Sequence, residues 1–443
     1  MRQIYERVAG LDVHKKTVVA CRMRVTAEKQ VEQETRTFGT TTAELLALHD
    51  WLSEWDCTHV ALESTADYWK PVYNLLEGEF EVWLVNTQHV QKVAGRKTDA
   101  TDAEWLAELM LHGLLKASFI PAKPQRVLRE LTRYRTTLVR ERARVVNRVE
   151  KLLESTNIKL TSVVSDVMGV SARAILQELV RGSHDPQALA ELAKGRLRQK
   201  VKELEAALVG VVEPHHRFIL AQQLGHIDFL DEHIEEMRAE IGRQLERMSQ
   251  PPTDEGSVSP HQPTDPDRST PPELPPLSWT EAVALLDTIP GVDERVAEVM
   301  LAEMGLDMGQ FPTAKDLVSW AGLAPGNHQS GGKRYPSHTT KGNNPLRSMM
   351  TQAAWAASRT KDTFLKARYH RLAARRGKKR AIVAIAHSML ESAWYMLSRR
   401  QPYQELGGDY YDQRKKDSKV SYLTKQLTKL GFVVSLDPIP IAA

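Results

Sequence analysis

At 443 residues, 42% hydrophobic and 26% charged, the chain has the composition of an ordinary globular protein long enough for about three domains. Its two cysteines, Cys21 and Cys57, lie far apart without CxxC spacing, which argues against a disulfide framework or a thiolate metal site. No run approaches the ~20 apolar residues of a membrane span, and "MRQIYERVAGLDVHKK" lacks the apolar core of a signal peptide, so a cytoplasmic protein with no membrane partner is expected. The net charge of +4 is uneven: residues 330–400 carry 16 Lys or Arg against two acids, Asp362 and Glu391, a local surplus of 14. That density points to a polyanionic partner.

In chain order, "RVAGLDVHKKTVVACRMR" (7–24) reads as two β-branched runs around a polar turn at His14-Lys15-Lys16, a hairpin signal. "HVALEST" (59–65) reads as a strand, "DYWKPVYNLLE" as a helix, "FEVWLVN" (80–86) as a strand, and "GRKTDATDAEWLAELM" (95–110) as a loop entering a helix. Strands alternating with helices indicate an α/β layer structure. From Gln125 to about Ser155 an Arg-rich amphipathic helix is expected. Between Pro214 and Met248 a second long helix repeats Leu220, Ile227, Ile234, Ile241 and Met248 every seven residues, the seam of a coiled coil whose partner is either this chain or another protomer. Residues 250–277 hold nine prolines and almost no large apolar residue, so they read as an extended linker. Beyond it come two short helices hinged at Ile289-Pro290-Gly291-Val292, a Gly-rich loop, and further helices to about Arg400. The expected division is 1–118, an α/β domain; 119–249, a helical coiled-coil region; 250–277, linker; 278–402, a helical domain; and 403–443, a polar tail.

Asp99 and Asp102 suit the N-cap and N3 positions of a helix, and capping alone would explain them. Asp12 near the end of the first strand and Glu63 at the end of a later one change that view. Four carboxylates brought together repel one another, and a divalent cation is the natural remedy: oxygen ligands suit Mg²⁺ or Mn²⁺, and two ions about 4 Å apart can act on a phosphodiester.

"GLDVHKKTVVAC", "ALESTADYW" and "GRKTDATDAEWLAELM" resemble the N-terminal motifs of the insertion-sequence one-ten family, the DEDD transposases of bacterial mobile elements, whose first domain is ribonuclease H-like of the RuvC branch. The resemblance implies that Asp12, Glu63, Asp99 and Asp102 bind Mg²⁺. "WAGLAPGNHQSGGKRYPSHTTKGNNPLRSMM" (320–350) is similar to the family's C-terminal transposase signature, in which the matching serine, here Ser330, is the nucleophile. Gly331 and Gly332 would let backbone approach a ligand, and Lys333, Arg334, Lys341 and Arg347 would neutralise phosphate. A serine hydroxyl needs activation, and no His or Lys stands out as its base. "IPGV" resembles a helix-hairpin-helix, whose turn amides face phosphate; an ordinary αα-turn reads the same way.

The family implies excision and insertion of double-stranded donor and target DNA through a covalent phosphoserine, by a homo-oligomer, dimer or tetramer, guided by a structured non-coding bridge RNA. Two other readings remain at this stage. One is a metal-dependent structure-specific endonuclease that hydrolyses branched DNA while Ser330 is only structural. The other is a nucleic-acid-binding protein whose acids are caps and surface charges.

Overall fold

The computed structural model describes residues 4–64, 66–85, 102–250, 277–326, 329–334, 339–414 and 416–435. It divides into two compact units, Met1–Pro121 and Ala122–Ala443.

The first unit is built on one sheet. β1 (Arg7–Val13) and β2 (Thr17–Val25) form the expected hairpin, closed by the His14 amide donating to the Thr17 carbonyl at 2.9 Å. β3 (Val31–Gly39) adds antiparallel to β2, while β4 (His59–Ser64) and β5 (Glu81–Leu84) add in parallel beyond β1, giving the order β3-β2-β1-β4-β5. β3 and α1 (Thr42–Ser53) were not expected from sequence. Seven of the nine residues of "VEQETRTFG" are exposed, so this edge strand lacks the apolar alternation that marks a half-buried one. α1 is capped by Thr41, which accepts from the Glu44 amide.

The two faces of the sheet carry different covers. Ala9, Leu11 and Val13 share a core with Val60, Leu62 and the α1 residues Leu45, Leu48 and Leu52, together with Val72 and Leu76 of α2 (Trp69–Leu76). Val8, Cys21 and Ala61 face the other way, onto Ala103, Leu106, Ala107 and Met110 of α3 (Asp102–Leu111). Gly10 sits at the closest approach: a Cβ there would lie 2.2 Å from the Ala103 carbonyl oxygen and 2.5 Å from the Ala107 nitrogen, so only glycine admits the helix. Burial raises the Cys21 thiol to about 11 and that of Cys57 to about 12, leaving both protonated at neutral pH.

Among its described residues the second unit is helical apart from one small ribbon. α4 (Lys123–Ser155) and α9 (Pro214–Ser249) are the two long helices expected, and they pack on each other. The seven-residue seam of α9 faces inward: Leu220, Leu224, Ile227 and Leu230 share a core with Leu138, Val145, Val149 and Leu153 of α4. Gln244 donates to the Pro124 carbonyl and Arg142 forks onto Asp231, so the pair runs antiparallel. A partner for the seam therefore lies within this chain. Four shorter helices, α5 (Leu160–Val163), α6 (Val170–Arg181), α7 (Pro186–Glu191) and α8 (Val201–Ala207), connect the two, and Ile175, Leu176 and Leu204 enter the same core. The proline-rich stretch from 251 to 276 lies outside the described residues.

After it come α10 (Trp279–Asp287), α11 (Glu294–Met304), α12 (Ala314–Trp320), α13 (Asn344–Ala357), α14 (Phe364–Arg376) and α15 (Lys378–Arg399). The tail is more ordered than its polar composition suggests, with α16 (Tyr410–Arg414) and α17 (Lys416–Lys429); Tyr411 stacks on Phe364, and Glu405 accepts from the Phe364 amide at 2.7 Å. No described helix is long and apolar enough to cross a membrane.

Candidate catalytic site

Sheet register decides where the first two acids go. Asp12 on β1 is paired with Glu63 on β4, and residues opposite each other in parallel strands project to the same side. That side is the one holding Gly10 and Ala61, two residues earlier on each strand, and it is covered by α3. Both acids are half-buried near the C-terminal ends of their strands. Asp12 Oδ2 lies 3.1 Å from His14 Nε2. Asp102 opens α3 on the turn that crosses Gly10, and is exposed there. Asp99, the fourth predicted acid, lies outside the described residues, as does any part it plays in capping.

Asp12 and Glu63 thus share one face, and Asp102 opens the helix that covers it, but the three do not come within the reach of one ion as a set. Among the described residues, three metal-type ligands have atoms within 4.8 Å of one another only at Glu213, His215 and His216. Those residues open α9 and are explained by its capping box, in which the Glu213 amide donates to His216 Nδ1. The carboxylates of the sheet form an all-oxygen donor set, half-shielded from water, which is the chemistry a hard divalent cation takes.

Ser330 lies at the head of a ribbon. β6 (Gln329–Ser330) pairs antiparallel with β7 (Lys333–Arg334), Ser330 opposite Lys333, and Gly331 and Gly332 turn between them with φ of 56° and 75°. Two consecutive positive φ values are what a type I′ hairpin turn demands, and a Cβ at either glycine would meet nothing within 4 Å. The glycine pair is therefore accounted for by the turn, and it leaves open space around the backbone next to Ser330. The side chains of Ser330 and Arg334 lie outside the described residues; Lys333 and Lys341 are exposed. Arg347 is half-buried and donates to Thr339 Oγ1 at 2.7 Å, so it braces the root of the ribbon.

That root is tightly closed. Pro325 bridges Thr339, the Asn343 amide donates to the Trp320 carbonyl at 3.1 Å, and a Cβ on Gly342 would fall 2.3 Å from the Gly322 nitrogen. Gly322 itself has φ of 71°. Below the root, Glu303 of α11 is fully buried and holds four contacts together. Arg133 donates to its two oxygens at 2.7 and 2.8 Å, Asn343 Nδ2 donates at 2.7 Å, and Arg129 Nε lies 3.6 Å away. Asn343 also caps α13 by accepting from the Leu346 amide. Beside this hub Arg135 donates to buried Glu298 at 2.5 Å; burial raises the Glu298 carboxyl and the guanidinium opposes that shift. Sequence reasoning missed Glu298 and Glu303. The available signal was an acid at a core position of the apolar-periodic run "RVAEVMLAEMG".

The "IPGV" turn joins α10 to α11, but Gly291 (φ 87°) is pressed on α13, where a Cβ would lie 2.5 Å from the Ala353 oxygen and the Ala357 nitrogen. Helix packing accounts for this glycine.

A mixed sheet of order β3-β2-β1-β4-β5, with a mostly helical remainder, is the architecture of a ribonuclease H-like protein, the fold that a DEDD transposase domain implies. A model of DEDD transposases of the IS110 type matches residues 9–158, and a model of the IS116/IS110/IS902 transposase family matches residues 283–370. The chain belongs to this transposase family. It is 25% identical over 331 residues to the transposase for insertion sequence element IS1111A of Coxiella burnetii, covering 72% of each chain. It is 24% identical over 354 residues to a probable family 20 transposase of Pseudomonas aeruginosa, covering 78% of this chain and 85% of the other. A pilin gene-inverting protein of Moraxella bovis is 30% identical over 123 residues, 27% of this chain and 38% of that one.

Proposed function

We propose that the protein cuts and rejoins double-stranded DNA at the ends of an insertion sequence and at its target. The observation that carries this reading is the register pairing of Asp12 with Glu63 on the face that α3 covers. Asp12, Glu63, Asp102 and Asp99 would hold Mg²⁺, or Mn²⁺ in its place, through carboxylate oxygens. When bound, the cation supplies positive charge to phosphate oxygens during transfer.

The remaining steps belong to the chain. Ser330 Oγ attacks phosphorus; an Oγ–P bond forms as the bond to one strand end breaks, and that end leaves as a hydroxyl carrying the proton the serine gave up. Attack by a new strand end reverses the step, restores the serine and reseals DNA without a high-energy cofactor. Lys333, Arg334 and Lys341 offset charge on the phosphate, while Arg347 keeps the ribbon root in place. The surplus of 14 positive charges between 330 and 400, with the Arg-rich helix α4, supports binding of a structured guide RNA besides DNA. The protein would work as a homo-oligomer.

The test is a denaturing gel with labelled substrate DNA. Wild-type protein with Mg²⁺ should give a protein–DNA adduct that Ser330→Ala loses, while Ser337→Ala retains it. Cleavage in wild type without any adduct would replace this reading with metal-dependent hydrolysis.

A further inference from the structure

α4 turns a line of polar residues toward α11 and α13. Arg133, Thr136, Thr137 and Arg140 recur at intervals of three, one and three, which places them on one helical face. With Pro345 and Ser348 of α13 they line an open cleft of about 430 Å³. Arg140 is exposed and donates through Nη2 to Ser348 Oγ at 3.0 Å. Among the described residues it pairs with no carboxylate, whereas Arg142 is neutralised by Asp231 and Arg135 by Glu298. Ser348 accepts that bond and keeps its own proton to donate. The cleft therefore presents a cation and a hydroxyl donor, beside the first turn of α13, whose dipole also favours an anion. Arg144 and Arg148 continue the line along α4, both exposed.

We infer that this cleft seats one phosphodiester phosphate of a bound nucleic-acid strand, with Arg140 and Ser348 as its ligands. A guanidinium and a hydroxyl together match the several acceptor oxygens of a phosphate, and the extension through Arg144 and Arg148 suits a strand that runs on past the cleft. Arg133 is fixed on Glu303, so the cleft has one wall held in place. The inference rests on the protein being a nucleic-acid enzyme but not on Ser330 being its nucleophile.

Full-length protein is titrated into a labelled 30-base-pair DNA duplex and, separately, a labelled RNA hairpin, over a range of salt. Arg140→Ala should weaken binding roughly tenfold and lower the salt slope by about one, as loss of one charge-assisted phosphate contact does. Ser348→Ala should weaken binding two- to threefold with the slope unchanged, because it removes a hydrogen bond and no charge. Arg198→Ala, at an exposed cation outside the cleft, should change little. An effect confined to one probe assigns the phosphate to DNA or to RNA. If Arg140→Ala behaves like Arg198→Ala, or Ser348→Ala has no effect, the cleft is not a phosphate seat. If wild type binds neither probe, both this inference and the nucleic-acid reading fail, whereas binding without a Ser330 adduct removes only the nucleophile. Unchanged melting of each variant ensures that affinity is being read.

Discussion

Two sets of acids in this protein are placed by opposite means. Glu303 is an acid taken wholly out of water and satisfied by Arg133, Arg129 and Asn343. Asp12 and Glu63 sit side by side at strand ends, half in water, where a neighbouring like charge is a cost. A buried, fully partnered acid gives the unit a fixed shape. Acids held next to each other at a surface concentrate negative charge where something arriving from outside can meet it.

The sharpest break of that comparison is Glu303→Ala. It removes the carboxylate that takes both Arg133 hydrogen bonds and the one from Asn343 Nδ2, while Arg129 keeps its bonds to the Ala302 and Glu303 carbonyls, and breaking such a buried pair costs about 3–5 kcal/mol. Chemical denaturation should show that loss in the second unit, and a change under 1 kcal/mol would mean that the network adds no fixity. Asp12→Asn and Glu63→Gln should act in reverse, lowering DNA cleavage at least about 100-fold in Mg²⁺ while stability stays within about 1 kcal/mol. A variant that cuts normally would return these acids to a structural role.

Gly10→Ala tests the surface on which those acids are mounted. Its methyl has no room against Ala103 and Ala107, so α3 must shift, at about 1–3 kcal/mol, and cleavage should fall with it because Asp102 moves. Normal cleavage with reduced stability would separate Asp102 from the site.

The smallest effect concerns the thiols beneath the sheet. With Cys21 raised to about 11 and Cys57 to about 12 from an ordinary 9.0, iodoacetamide at pH 8 should leave both unmodified in native protein, as read by mass spectrometry. The unfolded chain ionises its thiols above pH 9 while the folded one does not. Their contribution is thus complete below pH 9 and is lost as pH rises from 9 toward 12, a decline that Cys57→Ala should lessen.

The strands that carry acids were legible because β-branched runs ending in Asp12 and Glu63 are bounded by polar turns. The two long helices were legible from periodicity, but a heptad seam gives no partner, and only the packing of Leu224 and Ile227 with Val145 and Val149 does. β3 stayed hidden because an exposed edge strand has no buried face to write into its sequence. Glu303 stayed hidden for a related reason: a charge reads as solvent-facing until three distant donors are seen to surround it. Ser330 was found by its resemblance to a family motif, whereas the need for two glycines after it follows from their dihedral angles.

The Gly322–Gly342 closure has a consequence for how this protein could be altered. A ribbon sealed at its neck by two glycines and a Pro325–Thr339 bridge has its two ends held together where they leave the helices. Segment 326–338 should therefore be exchangeable with the equivalent segment of a relative as a cassette, changing what the serine is presented to while the helices under it keep their packing.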